Sequence, residues 1–265
     1  MLRTPSVELR TISVKDSERR TRNAERNVSF WLEEVLLHVQ SHPLPKVLFG
    51  GEGVGEIASY VAGWLAGKRL DVIVLDGANR FDPYTVSFFA RRAFLPPEEL
   101  LKKIRIARAF TCYQMATLMG EKLTCLLKQE GTIAKEQKPW VILLGPITTF
   151  LDEDIPEKEV GPLLERSLKR LDSLAVEGIP FFLFQSLVPT RSKRAYLMRR
   201  LFQFSTVVWR MSLDDEGPKV TLEKGPIENC GLRILDCGLS NLEDKTYSRS
   251  PKGSSPPTGR DFREM

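Results

Sequence analysis

The turn at residues 50–57 has residue types and spacing that approach a phosphate-binding motif. In the working motif, G-x-x-x-x-G-K-[ST], backbone N–H groups surround a phosphate, the lysine pairs with the terminal phosphates and the hydroxyl holds Mg²⁺. Here Gly50 and Gly55 keep the glycine spacing, but Glu56 stands at the lysine position and Ile57 at the hydroxyl position. The turn therefore has the glycines of a phosphate loop without the side chains that bind phosphate and metal.

Glu56 reverses a charge at the point where a phosphate would lie. At about 4 Å near a protein surface, two unit charges interact by roughly 4 kcal/mol, so this exchange turns a strong attraction into repulsion. The carboxylate also lies at a predicted helix N-terminus, where it can occupy the positive end that a phosphate would use. We therefore expect no catalytic residues and no cofactor here, with ATP binding at Gly50, Gly55, Glu56 and Ile57 no more than weak.

Two other interpretations of the glycine turn stay open. The glycines can form a tight strand-to-helix turn that needs no ligand. The turn can also be compared with the dinucleotide fingerprint G-x-G-x-x-G, which Gly51 and Gly53 fit, while Glu56 replaces the third glycine. Asp76 ends the next predicted strand, where an acid that binds ribose would lie. The dinucleotide interpretation would make the chain an NAD-type enzyme.

Strands and helices alternate along most of the chain. Apolar runs predict strands at residues 46–50, 70–76, 104–109, 140–145, 179–186, 206–212, 218–224 and 231–236. Amphipathic periodicity predicts helices around residues 28–39, 57–65, 83–94, 112–128, 164–175 and 192–204. Because the first five strands alternate with helices, we expect an α/β fold with a mostly parallel sheet covered on both faces. The sequence DDEG at 214–217 predicts an antiparallel hairpin near the end.

Composition divides the chain into one folded domain and two polar ends. Residues 1–27 are predicted to be a basic arm, 28–239 the α/β core domain and 240–265 a disordered Ser/Pro-rich tail. The 39 Lys and Arg residues exceed the 34 Asp and Glu residues, which gives a formal charge of +5. This excess permits a polyanionic partner without requiring one.

Cysteine and histidine spacing argues against a metal site. The four cysteines form no CxxC pair, and only His38 and His42 are four residues apart, so no metal ligand is predicted. Reduced thiols, the lack of a signal-like N-terminus and the lack of a long apolar run predict a cytoplasmic protein with no membrane partner.

Five segments, taken in order, resemble the core of the RecA/RadA recombinases. They read VLFGGEGVGEI, VIVLDGANRFDPYTV, RIARAFTCYQMATLM, PFFLFQS and VVWRMSLDDEGPKVTLEKGP. The letters that match the family beyond the glycine turn are Asp76, Phe81, Pro83, Arg108, Ala109, Gln114, Met115, Gln185, Lys224 and Gly225. The similarity covers about residues 28–236, and it implies a RecA-like core of the RecA-like ATPase superfamily.

The departures from this family fall on its catalytic parts. The family's catalytic glutamate aligns with Ala78 and its metal-binding aspartate with Gly145, while Glu56 and Ile57 replace the lysine and threonine of the phosphate loop. Both Walker motifs are thus degenerate, so that water activation, metal binding and charge neutralisation are lost together. The resemblance implies a pseudo-ATPase. Gln185 matches the nucleotide-sensing position, although a polar strand end explains it equally well.

A basic segment follows Gln185, where the family's second DNA loop leaves the sheet. It has five cations and no acid in ten residues: Arg191, Lys193, Arg194, Arg199 and Arg200. Clustered cations bind DNA phosphates, so the resemblance makes these the predicted nucleic-acid contacts, with a solvated basic helix face as the alternative. The family's first DNA loop corresponds to residues 150–159, whose five acids should repel phosphate and can instead dock a basic partner.

A non-catalytic, RecA-like accessory protein in DNA repair or recombination is the favoured function. Its expected partners are DNA, a RecA-family or other repair protein, and further copies of itself. A nucleotide-free scaffold or regulator without DNA contact is the alternative. An NAD-type Rossmann enzyme is less favoured, because both histidines precede the glycine turn and acid–base residues are few.

Overall fold

Seven of the eight predicted apolar runs form one seven-stranded sheet in the part of the chain that the structure describes. In this computed structural model the described residues are 46–129, 131, 137–214 and 217–225. The strands are β1 (Lys46–Gly51), β2 (Val72–Asp76), β3 (Ile104–Arg108), β4 (Trp140–Leu144), β5 (Phe181–Gln185), β6 (Val207–Asp214) and β7 (Gly217–Lys224). Every residue of β1, β2, β4 and β5 is buried, as expected for strands covered on both faces.

The strands lie in the order β3-β2-β4-β5-β1-β6-β7. Neighbours are parallel from β3 to β6. Strands β6 and β7 are antiparallel, and their pairing runs from Val208 opposite Lys224 to Asp214 opposite Gly217. The predicted α/β class, the mostly parallel sheet and the late antiparallel hairpin are therefore confirmed.

Helices cover both faces of the sheet. They are α1 (Val54–Gly67), α2 (Pro83–Arg92), α3 (Pro97–Lys102), α4 (Cys112–Thr117), a π-helical turn (Leu118–Lys122), α5 (Leu123–Gln129), a 3₁₀ turn (Thr148–Leu151), α6 (Glu157–Val176) and α7 (Tyr196–Phe204). Helices α1 to α3 pack with one set of strand residues, which includes Val47 and Phe49. Helices α4 to α7 pack with the alternate set, which includes Leu48 and Ile73. Since side chains of a strand alternate between faces, the helices form two layers with the sheet between them.

A π-helical turn divides the helix that the sequence predicts over residues 112–128. The buried side chains of this region recur every four residues, at Met115, Met119, Leu123 and Leu127. An α-helix has about 3.6 residues per turn, so such spacing would drift around a straight helix. The wider i→i+5 turn at Leu118–Lys122 offsets this drift and keeps the row facing the sheet.

Two helix starts differ from the prediction. The helix predicted at 83–94 does end before Pro96, but no separate helix is predicted after it, and Pro97 begins α3, because proline fits the first helical position, where no N–H bond is needed. The sequence also predicts a basic helix from about residue 192. That helix begins only at Tyr196, and residues 190–195 form turns and a bend. The first three predicted DNA contacts therefore do not share a helical face.

The predictions for both ends of the chain lie outside the described residues. They are the basic arm at 1–27, the helix at 28–39, the strand at 231–236, the domain end at 239 and the tail at 240–265. Among the helices that the structure describes, none has the length and apolar character needed to cross a membrane.

Candidate functional site

The carboxyl ends of the parallel strands bring the predicted site residues to one edge of the sheet. Gly50 pairs with Gln185 across β1 and β5, and Asp76 pairs with Leu144 across β2 and β4. Gly145 follows Leu144 directly. Open α/β sheets bind ligands at this edge, so its polar groups and free space decide what the molecule can hold there.

The glycine turn is held closely against β6. Gly51 has φ 144°, and a Cβ added there would lie 1.9 Å from the carbonyl oxygen of Met211. The N–H of Glu52 donates to the same oxygen at 3.3 Å. Gly53, with φ 69°, is the N-cap of α1. Two of the glycines are thus required by a tight strand-to-helix turn, whether or not a ligand binds.

Glu56 and Ile57, which stand where the working motif has lysine and a hydroxyl residue, have different surroundings. Glu56 is exposed in the first turn of α1, where its charge is favourable at the positive end of the helix. Ile57 is buried among apolar side chains of the core. The position that holds the metal-binding hydroxyl in the working motif therefore serves packing in this chain.

Both glycines that keep the motif spacing face side chains of the chain itself. A Cβ added to Gly50 would lie 3.2 Å from Cε of Met198, and one added to Gly55 would lie 3.3 Å from Cβ and Cδ of Arg80. Sequence spacing did not single out Arg80. The only signal for it is its position just after β2, which ends at the same edge as β1.

Asp76 is turned inward and organises the loop after β2. Its side chain is fully buried. Its carboxylate accepts the N–H groups of Ala78 at 3.1 Å, Arg80 at 3.2 Å and Phe81 at 2.9 Å. It also pairs with Nε of Arg108 at 3.6 Å. Both carboxylate oxygens are thus occupied within the chain, which argues against the ribose-binding role that the dinucleotide interpretation needs.

Gly145 stands where the resemblance expects a metal-binding aspartate, and its surroundings leave no room for a side chain. Its φ is 64°, and an added Cβ would lie 2.6 Å from Cβ of Ala78 and 2.6 Å from Oγ1 of Thr148. Gly77 is equally close, since a Cβ there would lie 2.8 Å from the carbonyl oxygen of Gly145. Neighbouring atoms of Ala78 and Thr148 fill this position, so it cannot hold any side chain unless they move.

Gln185 joins the end of β5 to the 3₁₀ turn. Its side chain is buried. The side-chain oxygen accepts the N–H of Ile147 at 3.2 Å, and the side-chain nitrogen donates to the carbonyl of Ser186 at 3.1 Å and, more weakly, to Thr148 at 3.5 Å. The side chain at the predicted sensor position therefore has its hydrogen-bonding partners inside the protein.

Four of the five predicted DNA contacts are exposed. Arg191 and Lys193 lie in the turns before α7, and Arg199 and Arg200 lie on α7 itself. Nε of Arg200 pairs with the carboxylate of Glu165 on α6 at 3.1 Å. Arg191, Lys193 and Arg199 make no ion pair with any residue that the structure describes.

Arg194 is buried, with 5% of its surface exposed, and it holds the acidic segment in place. Its guanidinium donates to the carbonyl oxygens of Phe150, Asp152 and Ile155, and its Nε donates to the Glu157 carboxylate at 3.2 Å. A planar guanidinium with five donors is well matched to such a ring of acceptors. We therefore assign Arg194 this structural role in place of the predicted DNA contact.

The acidic and basic segments face each other across a cleft of about 340 Å³. Glu153 and Asp154 line one side of this cleft, and Lys193 lines the other. The hydroxyl of Tyr196 bonds to Glu157 nearby, and burial together with this bond raises the pKa of Tyr196 to about 12. A phosphate would meet carboxylates inside the cleft, so phosphate binding is favoured only on the outer side of the basic turns.

No metal-binding cluster of three or more His, Cys, Asp or Glu side chains occurs in the part of the chain that the structure describes. No protein-family model matches the chain. No curated protein sequence matches it either.

Proposed function

We propose that this protein is a non-catalytic relative of the RecA/RadA recombinases that binds DNA phosphates and acts as an accessory factor beside a RecA-family or other repair protein. The observation that carries the non-catalytic part of the proposal is the lack of space for a Cβ at Gly145. A magnesium-binding side chain cannot be placed there without displacing Ala78 and Thr148. With Glu56 in place of lysine, neither the charge nor the metal needed for phosphoryl transfer is supplied.

The order of strands supports the RecA-like part of the proposal. Strand β5, which ends in Gln185, lies between β1 and β4. The glycine turn, the sensor-like glutamine and Gly145 therefore follow one another along one edge of the sheet. This arrangement is expected if the resembling segments have kept their places while the groups that bind and hydrolyse nucleotide have been lost.

The exposed cations after β5 support the DNA-binding part. Arg191, Lys193 and Arg199 are exposed and unpaired among the described residues, and they lie within one short segment. Cations of this kind bind phosphates with release of counterions, and each phosphate contact adds about 0.7 to 0.9 to the salt dependence of binding. The segment is thus suited to binding that depends on salt and little on sequence.

The test is the binding of a labelled DNA duplex by fluorescence anisotropy over a range of salt concentrations. Replacing Arg191, Lys193 and Arg199 together by alanine should weaken binding to all sequences alike and reduce the salt slope by roughly 2 to 3. The matched control replaces three exposed lysines elsewhere, Lys102, Lys122 and Lys128, and has the same net charge. Equal losses in both variants would refute binding at this segment.

The acidic segment favours a second candidate, a scaffold that binds a basic protein. Asp152, Glu153 and Asp154 are all exposed next to the cleft. If the unaltered protein binds no DNA at low salt, the scaffold function becomes the better explanation of this surface.

A further inference from the structure

Three aromatic rings are exposed on α2 and on the turn that follows it. The exposed fractions are 84% for Tyr84, 50% for Phe88 and 97% for Phe94. Tyr84 and Phe88 are four residues apart, so they lie on the same side of α2. The buried residues of this helix, Val86 and Ala90, belong to the core beneath it. None of the three rings takes part in the core clusters of the described residues.

Phe94 occupies a backbone position that strains any residue with a side chain. Its φ is 56°, in the left-handed region. Its N–H donates to the carbonyl of Arg91 at 3.2 Å, and the N–H of Leu95 donates to that of Ala90 at 2.8 Å, which together form a Schellman motif at the end of α2. Glycine is the usual residue here, because it has no Cβ to be strained. A ring that is 97% exposed gains little packing within the chain to offset this strain.

Two arginines accompany the rings, and the next acids in the sequence are Glu98 and Glu99 in the first turn of α3. Arg91 and Arg92 lie in the last turn of α2, and the guanidinium of Arg92 lies 5.4 Å from the centre of the Phe88 ring. The stretch from Pro83 to Leu95 contains no Asp or Glu. Asp82, just before it, is occupied as the N-cap of the helix. The surface therefore combines flat apolar rings with positive charge.

We propose that this aromatic face, defined as Tyr84, Phe88, Arg91, Arg92 and Phe94, binds single-stranded nucleic acid by stacking its unpaired bases. Exposed rings beside arginines suit a single strand, because every base presents a flat face for stacking and every phosphate a charge for the guanidinium. A duplex keeps its bases stacked inside and cannot use the rings in this way. The inference rests on the proposed function for the class of ligand. It adds a preference for single strands and a second binding surface. This surface lies on α2, which packs against the opposite face of the sheet from α7.

The experiment compares a fluorescein-labelled oligothymidine with a labelled hairpin duplex of equal charge, using the full chain and fluorescence anisotropy. The main variant is Phe94→Gly, which removes one ring and relieves the strained backbone. We expect it to keep or raise the midpoint of thermal unfolding, by about 2 °C. We also expect the affinity for oligothymidine to fall by about fivefold or more, with the affinity for the hairpin unchanged.

Two further variants sharpen this experiment. The double variant Tyr84→Ala/Phe88→Ala should weaken oligothymidine binding in the same way and leave its salt slope unchanged, because it removes no phosphate contact. The control is Val176→Ala, which removes an exposed apolar side chain at the end of α6. This control should bind both oligonucleotides as the unaltered protein does.

The outcomes separate the inference from the proposed function. Unchanged oligothymidine affinity in the ring variants, or equal losses for oligothymidine and hairpin, would overturn the inference. A lower unfolding midpoint in Phe94→Gly would also overturn it, since that ring would then pack against the chain itself. If replacing Arg191, Lys193 and Arg199 changes neither affinity while Phe94→Gly still weakens oligothymidine binding, the basic-segment proposal fails alone. If the unaltered protein binds the hairpin but no oligothymidine at low salt, only the inference fails. If it binds neither, both fail, and a protein partner becomes the occupant of the face.

Discussion

Polar groups differ between two neighbouring regions of the molecule. They are buried at the carboxyl edge of the sheet and exposed in the basic turns that follow Gln185. At the edge, the carboxylate of Asp76 and the amide of Gln185 are buried and bonded to backbone groups of the chain. In the turns, Arg191 and Lys193 extend into solvent. The exposed cations are therefore better placed to bind a ligand than the buried groups of the edge. The buried groups would first have to give up their hydrogen bonds within the chain.

Arg194 shows the same contrast within one short segment. It lies three residues after Arg191 and has the same side chain, yet it is buried among the carbonyls of the acidic segment. Arg191 therefore remains available to a phosphate, and Arg194 does not. The acidic and basic segments are held side by side by this arginine, so the surface that can take phosphate is smaller than the run of five cations indicates.

The largest expected effect tests the lack of space for a side chain at Gly145. Gly145→Asp should lower the free energy of unfolding by about 2 to 6 kcal/mol, because it adds left-handed backbone strain to a steric overlap with Ala78 and Thr148. The measurement is urea unfolding followed by circular dichroism. The control is Gly120→Ala in the π-helical turn, where an added Cβ has its nearest neighbour at 4.0 Å. That control should be more stable by about 0.5 to 1 kcal/mol. A stable Gly145→Asp protein would show that the edge can open.

The next effect compares the two arginines directly. Arg194→Met should lower the free energy of unfolding by about 2 to 4 kcal/mol, because it leaves buried carbonyls of the acidic segment without donors. Arg191→Met should change it by no more than about 0.5 kcal/mol, since its side chain is exposed. The same urea titration measures both. Similar losses of stability in the two variants would remove the contrast between them.

The smallest effect concerns Asp82, at the outer margin of the carboxyl edge. The hydrogen bond from the Thr85 hydroxyl holds the pKa of its carboxyl below the ordinary value against the opposing effect of burial, and bonds from two backbone N–H groups lower the pKa further. Asp82→Ala should cost about 1 kcal/mol at pH 7, as for a lost N-cap. Because the pKa is lower in the folded state, this stabilisation is present above the ordinary pKa of 3.8 and declines as the pH falls through the folded value. Unfolding of both proteins at pH 7 and pH 3 should show the difference shrinking, and a constant difference would contradict the account.

The strands could be predicted from the sequence because buried parallel strands are nearly continuous apolar runs, as VIVLD and WVILL show. The start of α3 was missed because Pro97 is read equally well as a helix stop or as a first helical residue. The role of Arg194 could not be predicted, because its acceptors are backbone carbonyls about forty positions earlier in the chain, and carbonyls have no sequence signal. Phe94 was missed for a similar reason, since neither its left-handed backbone nor its exposure follows from residue type.

The most direct test of the central claim is the rate of phosphate release from ATP in the presence of Mg²⁺, measured with the full chain. The account predicts no release above a protein-free blank, because Glu56 opposes the phosphate charge and Gly145 supplies no metal ligand. The control variant is Gly55→Trp, which would fill the glycine turn beside Arg80. Release that depends on Mg²⁺ and is abolished by Gly55→Trp would show that this edge hydrolyses nucleotide, and it would contradict the account. Release that survives in Gly55→Trp would point to a contaminating enzyme.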